Sequence, residues 1–341
     1  MNPRRALGLV FDGERLTVLD QRRLPTEERW LPAETPEAMR EHIHCLAVRG
    51  APLIGVAAAL SLGHYARGGP RPEAFRAAAA RLRSARPTAV NLMHAVDRML
   101  RAFGDGDTEA AGREAEAIFD EDVALCEAMA RHGAALLGDG DGVLTHCNSG
   151  ALATAGVGTA LGVVRRAWED GKRLHVYVDE TRPLLQGARL TAWELRRLGI
   201  PYTLQTDGMA ALLLRAGRVK RVLVGADRVA RNGDFANKVG TYGLAVQCAH
   251  HGVPFHPVAP WSTVDLAVPS GEHIPIEDRA PDEVRGASGA FGTVRWAPED
   301  AAVFNPSFDV TPASLVTSLV LDRGVYSREA LLAGVLGTLG G

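Results

Sequence analysis

The chain has 341 residues, and its 38 basic and 40 acidic side chains leave a formal net charge of only −2. A nucleic-acid or membrane-surface binder usually carries a clear basic excess, so this balance favours small anionic or neutral partners. The N-terminal segment MNPRRALGLVFDGERL interrupts its apolar residues with charges too early for a signal peptide, and no apolar stretch is pure enough to cross a bilayer. We therefore expect a cytoplasmic protein with neither a nucleic-acid nor a membrane partner.

The first part of the chain predicts a short β element followed by helices. Strand-like alternation surrounds an Asp12–Gly13 turn. Thr35 and Pro36 then read as an N-cap and a first helical residue, and Pro52 opens a second helix in the same way. The further helical patterns are PEAFRAAAARLRS, TAVNLMHAVDRMLRAF and a long segment from Thr108 to Leu137.

A glycine-aspartate string at 138–142 predicts a boundary between two domains, 1–140 and 141–341. After it, short apolar runs alternate with helical patterns, which is typical of βαβ units on a parallel sheet. The expected fold class is α/β, with a parallel-sheet C-terminal domain and a smaller, mainly helical N-terminal domain. The predicted strands are GVLTH, LHVYVDE, PYTLQT, RVLVGAD and VPFHPVA.

Polar residues follow each predicted strand, at the sheet edge where ligands bind in open α/β sheets. Four cysteines are scattered without metal or disulfide spacing, and three of them lie in helical patterns, where a buried thiol is inert. Cys147 is different because it follows a strand, and carboxylates of neighbouring strands are its candidate companions. The alternative is that these carboxylates only cap the helices that follow. The strand-end groups are Cys147-Asn148, Glu180-Thr181-Arg182, Thr206-Asp207, Asp227-Arg228 and Ser262-Thr263.

Arginines beside predicted helix starts suggest that the ligand is a phosphorylated small molecule. Arg49 and Gly50 precede the Pro52 helix, and Arg86 precedes a helix predicted to begin near Thr88. Free N–H groups at a helix start beside an arginine fork form an anion site. The pair Asn237–Lys238 is predicted to open another helix. Each site alone is also compatible with a solvated surface charge.

Two other patterns are weaker. Residues 156–162 (GVGTALG) imitate a dinucleotide fingerprint but begin well after the strand, so close helix packing is the favoured interpretation. His42 and His44, or His250 and His251, are spaced so that they would not converge on one ion. We expect neither a metal nor a cofactor.

Seven motifs, in order, resemble those of the methylthioribose-1-phosphate isomerases of methionine salvage. That family is related to the alpha, beta and delta regulatory subunits of a eukaryotic translation-initiation exchange factor and to archaeal ribose-1,5-bisphosphate isomerase. The likeness runs from Leu19 almost to the C-terminus. The motifs are RGAPLIG, RPTAVNL, HCNSGALAT, DETRPLLQGARLTAWEL, VGADRVARNGDFANKVGTYGLA, PFHPVAPWSTVD and NPSFDVTP.

The resemblance implies a Rossmann-like C-terminal domain, a homodimer, and an aldose-ketose isomerase acting on a phosphorylated sugar. It assigns catalysis to Cys147 and Asp227. The implied substrate contacts are Arg49, Gly50, Ala51, Arg86, Gln186, Asn237 and Lys238. His94 stands where an aromatic residue is expected, which leaves the fine shape of the pocket open.

The implied substrate, 5-methylthio-α-D-ribose 1-phosphate, carries phosphate on its anomeric oxygen and cannot open to a free aldehyde. A protonated Asp227 would protonate the ring oxygen. Cys147 would then move the C2 proton to C1, or assist a hydride shift, and the sequence leaves both routes open. His146 is a doubtful partner for Cys147 because successive strand residues point to opposite faces.

Three alternatives remain open from the residues. The first is an isomerase of ribose 1,5-bisphosphate or 5-deoxyribose 1-phosphate, which would share the acid-base pair and differ around C5. A noncatalytic regulatory subunit would not need Cys147 together with Asp227. A nicotinamide-dependent dehydrogenase would need a glycine fingerprint at a strand end.

Overall fold

A computed structural model describes residues 1–86, 89–289 and 292–339 of the chain. These residues form two compact units. The first comprises Met1–Cys126 and Ala151–Gly158, and the second comprises Glu127–Gly150 and Thr159–Gly341. The unit boundary lies inside a long helix, and the predicted division of the chain at residue 140 stays a prediction.

The first unit begins with a four-stranded antiparallel sheet in the order β1-β2-β3-β4. Its second and third strands form a hairpin whose turn contains Gly13 in the left-handed region, with φ of 105°. Asp12 Oδ1 accepts the N–H groups of Glu14 and Arg15, which closes the turn as predicted. The strands are β1 (Arg4–Arg5), β2 (Leu9–Phe11), β3 (Leu16–Leu19) and β4 (Trp30–Pro32).

Helices follow this sheet in the first unit, as the sequence predicted. Thr35 Oγ1 accepts the Ala38 N–H and caps the first helix, which starts with Pro36. The second helix is apolar on nearly all sides, and it is buried at the centre of the unit's hydrophobic core. The predicted start near Thr88 lies outside the described residues. The helices are α1 (Pro36–His44), α2 (Ala51–Ala66), α3 (Pro72–Arg83), α4 (Val90–Phe103) and α5 (Thr108–Ala134), which extends into the second unit.

The second unit contains a five-stranded sheet in the order β11-β8-β5-β6-β7, and all of its strand pairs are parallel. This confirms the predicted α/β class. The central strand, β5, is buried along its whole length, and a π-helical turn at Gly187–Thr191 leads into α7. The elements are β5 (Gly142–His146), α6 (Ala160–Glu169), β6 (His175–Asp179), α7 (Ala192–Leu198), β7 (Tyr202–Gln205), α8 (Ala210–Arg215), β8 (Arg221–Val224), β9 (Arg228–Ala230), β10 (Phe235–Lys238), α9 (Thr241–His251) and β11 (Phe255–Pro257).

A second sheet in this unit, in the order β12-β9-β10-β15, was not predicted. It corrects one expectation, because Asn237 and Lys238 end strand β10 and do not open a helix. Lys238 pairs with Phe308, far along the chain, and α9 begins only at Thr241. The remaining elements are β12 (Val264–Asp265), α10 (Asp282–Arg285), β13 (Gly286–Gly289), β14 (Gly292–Arg295), β15 (Phe308–Thr311), β16 (Ser318–Leu321), β17 (Gly324–Ser327), α11 (Arg328–Leu332) and α12 (Val335–Leu339).

Each unit has its own hydrophobic core. Within the described ranges, none of the helices combines the length and apolar composition needed to cross a bilayer.

Candidate active site

Cys147 lies directly after β5 in a left-handed backbone conformation, with φ of 68°. Its N–H donates to Thr181 Oγ1 at 2.8 Å, and its carbonyl oxygen accepts the Thr191 hydroxyl at 2.7 Å. The half-buried thiol is therefore carried on a peptide held by groups that follow the neighbouring strand β6. A left-handed conformation is uncommon for residues with a Cβ, and such conformations cluster at functional sites.

The loop after β6 is fixed by hydrogen bonds from two directions. Thr181, itself at φ 67°, donates its hydroxyl to the Asp179 carbonyl oxygen at 3.0 Å. The carboxylate of Asp207, from the end of β7, accepts the N–H groups of Thr181 and Arg182 at 2.8 and 2.7 Å. Asp207 thus supports the loop that holds Cys147, a role that neither the catalytic nor the helix-capping interpretation anticipated.

Two buried oxygen atoms beside this loop have no hydrogen-bond partner within the described part of the chain, Ser149 Oγ and Gln186 Oε1. Gln186 precedes Gly187, where an added Cβ would lie 1.7 Å from the Asp179 carbonyl oxygen. Only glycine permits the backbone to come this close to the end of β6, and the neighbouring Gln186 is therefore held there. Both oxygen atoms can accept a hydrogen bond, and the Ser149 hydroxyl can also donate one. Sequence reasoning missed Ser149, although it lies in the same HCNSG motif as Cys147.

Asp227 follows β8, the strand that lies next to β5 in the sheet. His146 pairs with Val224, so the residues after these two strands leave the sheet side by side. A Cβ on Gly225 would lie 3.2 Å from Ser149 Cβ and 3.8 Å from Asn237 Oδ1. Asp227 is half-buried, and its N–H donates to the carbonyl oxygen of Ala236, on β10, at 2.8 Å. The segments that carry Cys147, Asp227 and Asn237 therefore meet at one edge of the sheet.

The end of β10 supplies a buried amide and a buried ammonium. Asn237 Nδ2 donates to Thr241 Oγ1 at 2.9 Å. Lys238 Nζ donates to the Ser307 carbonyl oxygen at 2.6 Å and lies 4.8 Å from the centre of the Phe308 ring. Lys238 is 9% exposed. The end of β10 therefore places a buried cation beside the segment that carries Asp227.

His146, the last residue of β5, is buried, and both of its ring nitrogens contact groups other than Cys147. Its Nδ1 lies 3.0 Å from Asp179 Oδ2, and its Nε2 lies 2.9 Å from the Val239 carbonyl oxygen. Asp179 Oδ1 accepts Gln205 Nε2 at 2.8 Å. Ligand atoms of His146, Asp179 and Asp207 lie within 4.8 Å of one another. Because those groups already make the hydrogen bonds described above, we interpret the cluster as hydrogen-bonded support for the sheet edge.

In the first unit, Gly50 has φ of 100°, and an added Cβ would lie 2.6 Å from Ala153 Cα. Glycine is therefore required between Arg49 and Ala51, the first residue of α2. The Leu53 N–H donates to the Ala153 carbonyl oxygen at 3.0 Å. The start of α2 thus offers one N–H fewer to an anion than the sequence suggested.

Arg86 lies just before the described start of α4, in the first unit. The two helix starts are neighbours, because a Cβ on Gly55 of α2 would lie 2.8 Å from the Asn91 carbonyl oxygen of α4. Both arginines are half-buried and their Nε atoms are shielded from solvent. The two guanidinium groups predicted to bind phosphate thus belong to adjacent segments of the first unit.

The carboxylate of Asp122 in α5 holds the segment 151–158 by accepting the Ala155 N–H at 2.6 Å. Burial raises the pKa of Asp122 to about 6, although the backbone donors oppose this shift. Gly156 packs on the same helix, since an added Cβ would lie 2.7 Å from Cys126 Cβ. This agrees with the close-packing interpretation of the glycines in GVGTALG.

An open parallel sheet with a thiol and carboxylates at its carboxyl edge, and an amide and a buried ammonium on an adjoining strand, has the arrangement in which α/β proteins bind small molecules. The model of the initiation factor 2 subunit family matches residues 47–328, and the chain belongs to that family.

Two kinds of relative are similar over nearly the whole chain. The methylthioribose-1-phosphate isomerase of Cronobacter sakazakii is 57% identical over 321 residues, which cover 94% of this chain and 95% of that protein. The crystal structure of 5-methylthioribose 1-phosphate isomerase from Pyrococcus horikoshii has a TM-score of 0.88 at 40% identity, covering 97% of this chain and 95% of that one. A structure from A. fulgidus described as translation initiation factor eIF-2B, subunit delta, has a TM-score of 0.85 at 38% identity, covering 99% of this chain and 100% of that one.

Proposed function

We propose that this protein is an aldose-ketose isomerase that converts 5-methylthio-α-D-ribose 1-phosphate to 5-methylthio-D-ribulose 1-phosphate in methionine salvage. The observation that carries the assignment is its identity of 57% to a methylthioribose-1-phosphate isomerase over 94% of the chain. The sheet edge that brings together the segments of Cys147 and Asp227 supports it, because the reaction needs both a ring-opening acid and a group near C2.

We assign the ring opening to Asp227. Donation of its proton to the ring oxygen breaks the bond between that oxygen and C1, and the carboxylate formed can accept a proton later in the reaction. The phosphate stays on the C1 oxygen throughout. The position of Asp227 supports this role, because it follows β8, the strand next to the one that Cys147 follows.

We assign the second step to Cys147. In one route the sulfur, as a thiolate, takes the C2 proton to leave an enol that carries the phosphoester, and then returns that proton to C1 while the C2 hydroxyl gives its own proton to the Asp227 carboxylate. In the other, hydrogen moves from C2 to C1 with its electron pair, and the hydroxyl group on C2 loses its proton. Both routes need a group held rigidly beside C2, and the two hydrogen bonds to the Cys147 peptide support that requirement.

The substrate contacts that we propose fall into two chemical classes. Arg49, Arg86 and Lys238 are cations suited to the C1 phosphate. Gln186 and Asn237 carry amides suited to sugar hydroxyl groups, and the buried Gln186 Oε1 lacks a partner among the described residues. Gly50 and Ala51 would present backbone N–H groups.

The proposed function is tested by comparing three sugars in one coupled assay. We expect turnover of the 5-methylthio sugar 1-phosphate, and much slower turnover of ribose 1,5-bisphosphate and 5-deoxyribose 1-phosphate. Preference for either competitor would change the substrate assignment, and no turnover of any sugar would favour a noncatalytic regulatory subunit. In D2O, deuterium at C1 of the product would identify the proton-transfer route.

We also propose that the protein is a homodimer that acts in the cytoplasm, where a catalytic thiol stays reduced. A candidate surface lies on the second unit, where α8 packs against α9. Leu212 on α8 is 64% exposed, and Tyr242 and Val246 lie one turn apart on α9 at 46% and 43%. Exposed apolar side chains on two packed helices are typical of an interface.

Replacing Leu212 with Asp is expected to convert a dimer into a monomer, because a carboxylate would be buried against the partner. Sedimentation velocity measures the change in mass. Leu332→Asp is the matched control, since Leu332 is 61% exposed on α11, outside this surface. A native chain that sediments as a monomer would refute the dimer. A Leu212→Asp variant that stays dimeric would show that the interface lies elsewhere on the protein.

A further inference from the structure

The ring of His146 links three parts of the proposed active site. His146 ends β5 directly before Cys147, Asp179 ends β6, and Val239 directly follows Lys238 of β10. The ring contacts Asp179 through Nδ1 at 3.0 Å and the Val239 carbonyl oxygen through Nε2 at 2.9 Å. The side chain is only 1% exposed, so water does not compete for either nitrogen.

The segment that follows β10 packs closely against this ring. Gly240 has φ of 106°, and an added Cβ would lie 2.8 Å from His146 Cε1. The Gly240 and Tyr242 N–H groups both donate to the Asp309 carboxylate, which anchors the start of α9. His146 is therefore enclosed between the parallel sheet and the connection from β10 to α9.

The hydrogen bonds determine where the protons lie. A carbonyl oxygen only accepts, so Nε2 carries a hydrogen. One more proton lies between Nδ1 and Asp179 Oδ2. Imidazole is ordinarily the stronger base, with a pKa of about 6.5 against about 3.9 for aspartate, and Asp179 Oδ1 already accepts a hydrogen bond from Gln205. Both features place that proton on the ring.

The surrounding charges act in the same direction. Burial alone would lower the pKa of His146, but the hydrogen bond to Asp179 and the charges of Asp179 and Asp207 raise it above its usual value. Asp309, on β15, is a third carboxylate whose charge interacts with the ring, and Lys238 on β10 lies close to that carboxylate. Burial raises the pKa of Asp179, and the hydrogen bond and charge of His146 oppose that rise.

We propose that His146 is a positioning residue, held as an imidazolium, that fixes Cys147 on one side and Asn237–Lys238 on the other and exchanges no proton during the reaction. This inference rests on the proposed isomerase function for its kinetic consequences. The charge state of the ring is a property of the folded protein and is tested without substrate.

The first test is NMR of the native protein labelled with ¹⁵N in its histidine rings, with the His146 signals assigned by their loss in His146→Gln. Both ring nitrogens are expected to carry hydrogen at pH 7.5 and to keep their shifts from pH 6 to 9. A neutral ring, or titration within that range, would overturn the proposal. In Asp179→Asn the ring loses its counter-charge, and it is expected to titrate within the same range.

The second test separates positioning from proton transfer. His146→Gln keeps an N–H donor near the Nε2 position and loses the bond to Asp179, whereas His146→Asn does the reverse. Each is expected to lower kcat by about 10²-fold through misplacement of the site, while the pH profile of kcat/KM keeps both limbs. Loss of a limb would show that His146 transfers a proton, and unchanged kcat in both variants would refute a positioning role.

The matched control is His256→Gln. His256 is a buried histidine of the same sheet, bound to Ser318 Oγ at 2.8 Å, and it lies in the middle of β11. We expect the kcat of His256→Gln to stay within about threefold of the native value, because the hydrogen bond of this ring goes to Ser318, which is outside the proposed site. Inactivity of the native chain toward every sugar tested would refute the proposed function while leaving the NMR result valid.

Discussion

Replacing Cys147 with Ser is expected to lower kcat by about 10²-fold or more while substrate affinity stays near normal. Serine keeps the size of the side chain and a hydroxyl donor but is a much weaker acid than the thiol. The peptide of residue 147 is held by Thr181 and Thr191 through backbone atoms, so the substitution leaves those bonds in place. Single-turnover conversion of the sugar phosphate, with no added metal or nicotinamide, measures the effect.

Asp227→Asn belongs to the same experiment, because it keeps the shape of the side chain and removes the transferable proton. A similar loss of kcat is expected, and the double variant should be little worse than the poorer single one if the two groups serve one linked sequence of steps. Cys45→Ser is the control for thiol removal, since Cys45 is also half-buried but lies at the end of α1. Near-native turnover of either single variant would show that its residue only supports the local loop.

Arg86→Ala is expected to weaken binding of the sugar phosphate by about 2 to 5 kcal/mol, the usual result when one member of a buried, charge-assisted contact is removed. This corresponds to roughly 30-fold to several thousand-fold in Kd. Calorimetric titration in a Cys147→Ser background gives the affinity without turnover. Arg86→Lys keeps the charge but loses the planar fork. Its affinity for the sugar phosphate should therefore lie between those of the native protein and Arg86→Ala.

Arg83→Ala provides the comparison for the Arg86 experiment. Arg83 ends α3, only three residues before Arg86, and forms an exposed ion pair with Asp97 at 2.9 Å. Exposed pairs of this kind contribute little, so its removal should leave the affinity for the sugar unchanged. Equal affinities for the native and Arg86→Ala proteins would remove Arg86 from the proposed phosphate contacts.

Local sequence patterns predicted the elements whose structure depends on local interactions. Thr35 and Pro36 start α1 as expected, and GVLTH matches β5 at both ends. These features follow from capping chemistry and apolar runs, which are visible within a few residues.

Two further features that sequence reasoning missed, the strand at Asn237–Lys238 and the contact of His146 with Asp179, depend on partners far along the chain. Asn237 and Lys238 read as polar residues before a helix, but β15, about 70 residues later, supplies the hydrogen bonds that make them a strand. The contact of His146 with Asp179 spans 33 residues. A signal for it was present, because parallel pairing of Thr145 with Val178 places the following His146 beside Asp179. The rest of that arrangement, including the carbonyl oxygen of Val239, required the fold.

The left-handed backbone of Cys147 has a consequence for laboratory evolution of this protein. A residue with a Cβ costs roughly 1 kcal/mol or more in that conformation, and glycine or asparagine relieves much of it. A library screened only for resistance to heat should therefore enrich glycine or asparagine at position 147. A library screened for turnover should retain cysteine there, and comparison of the two selected populations would reveal a position where stability and activity are selected in opposite directions.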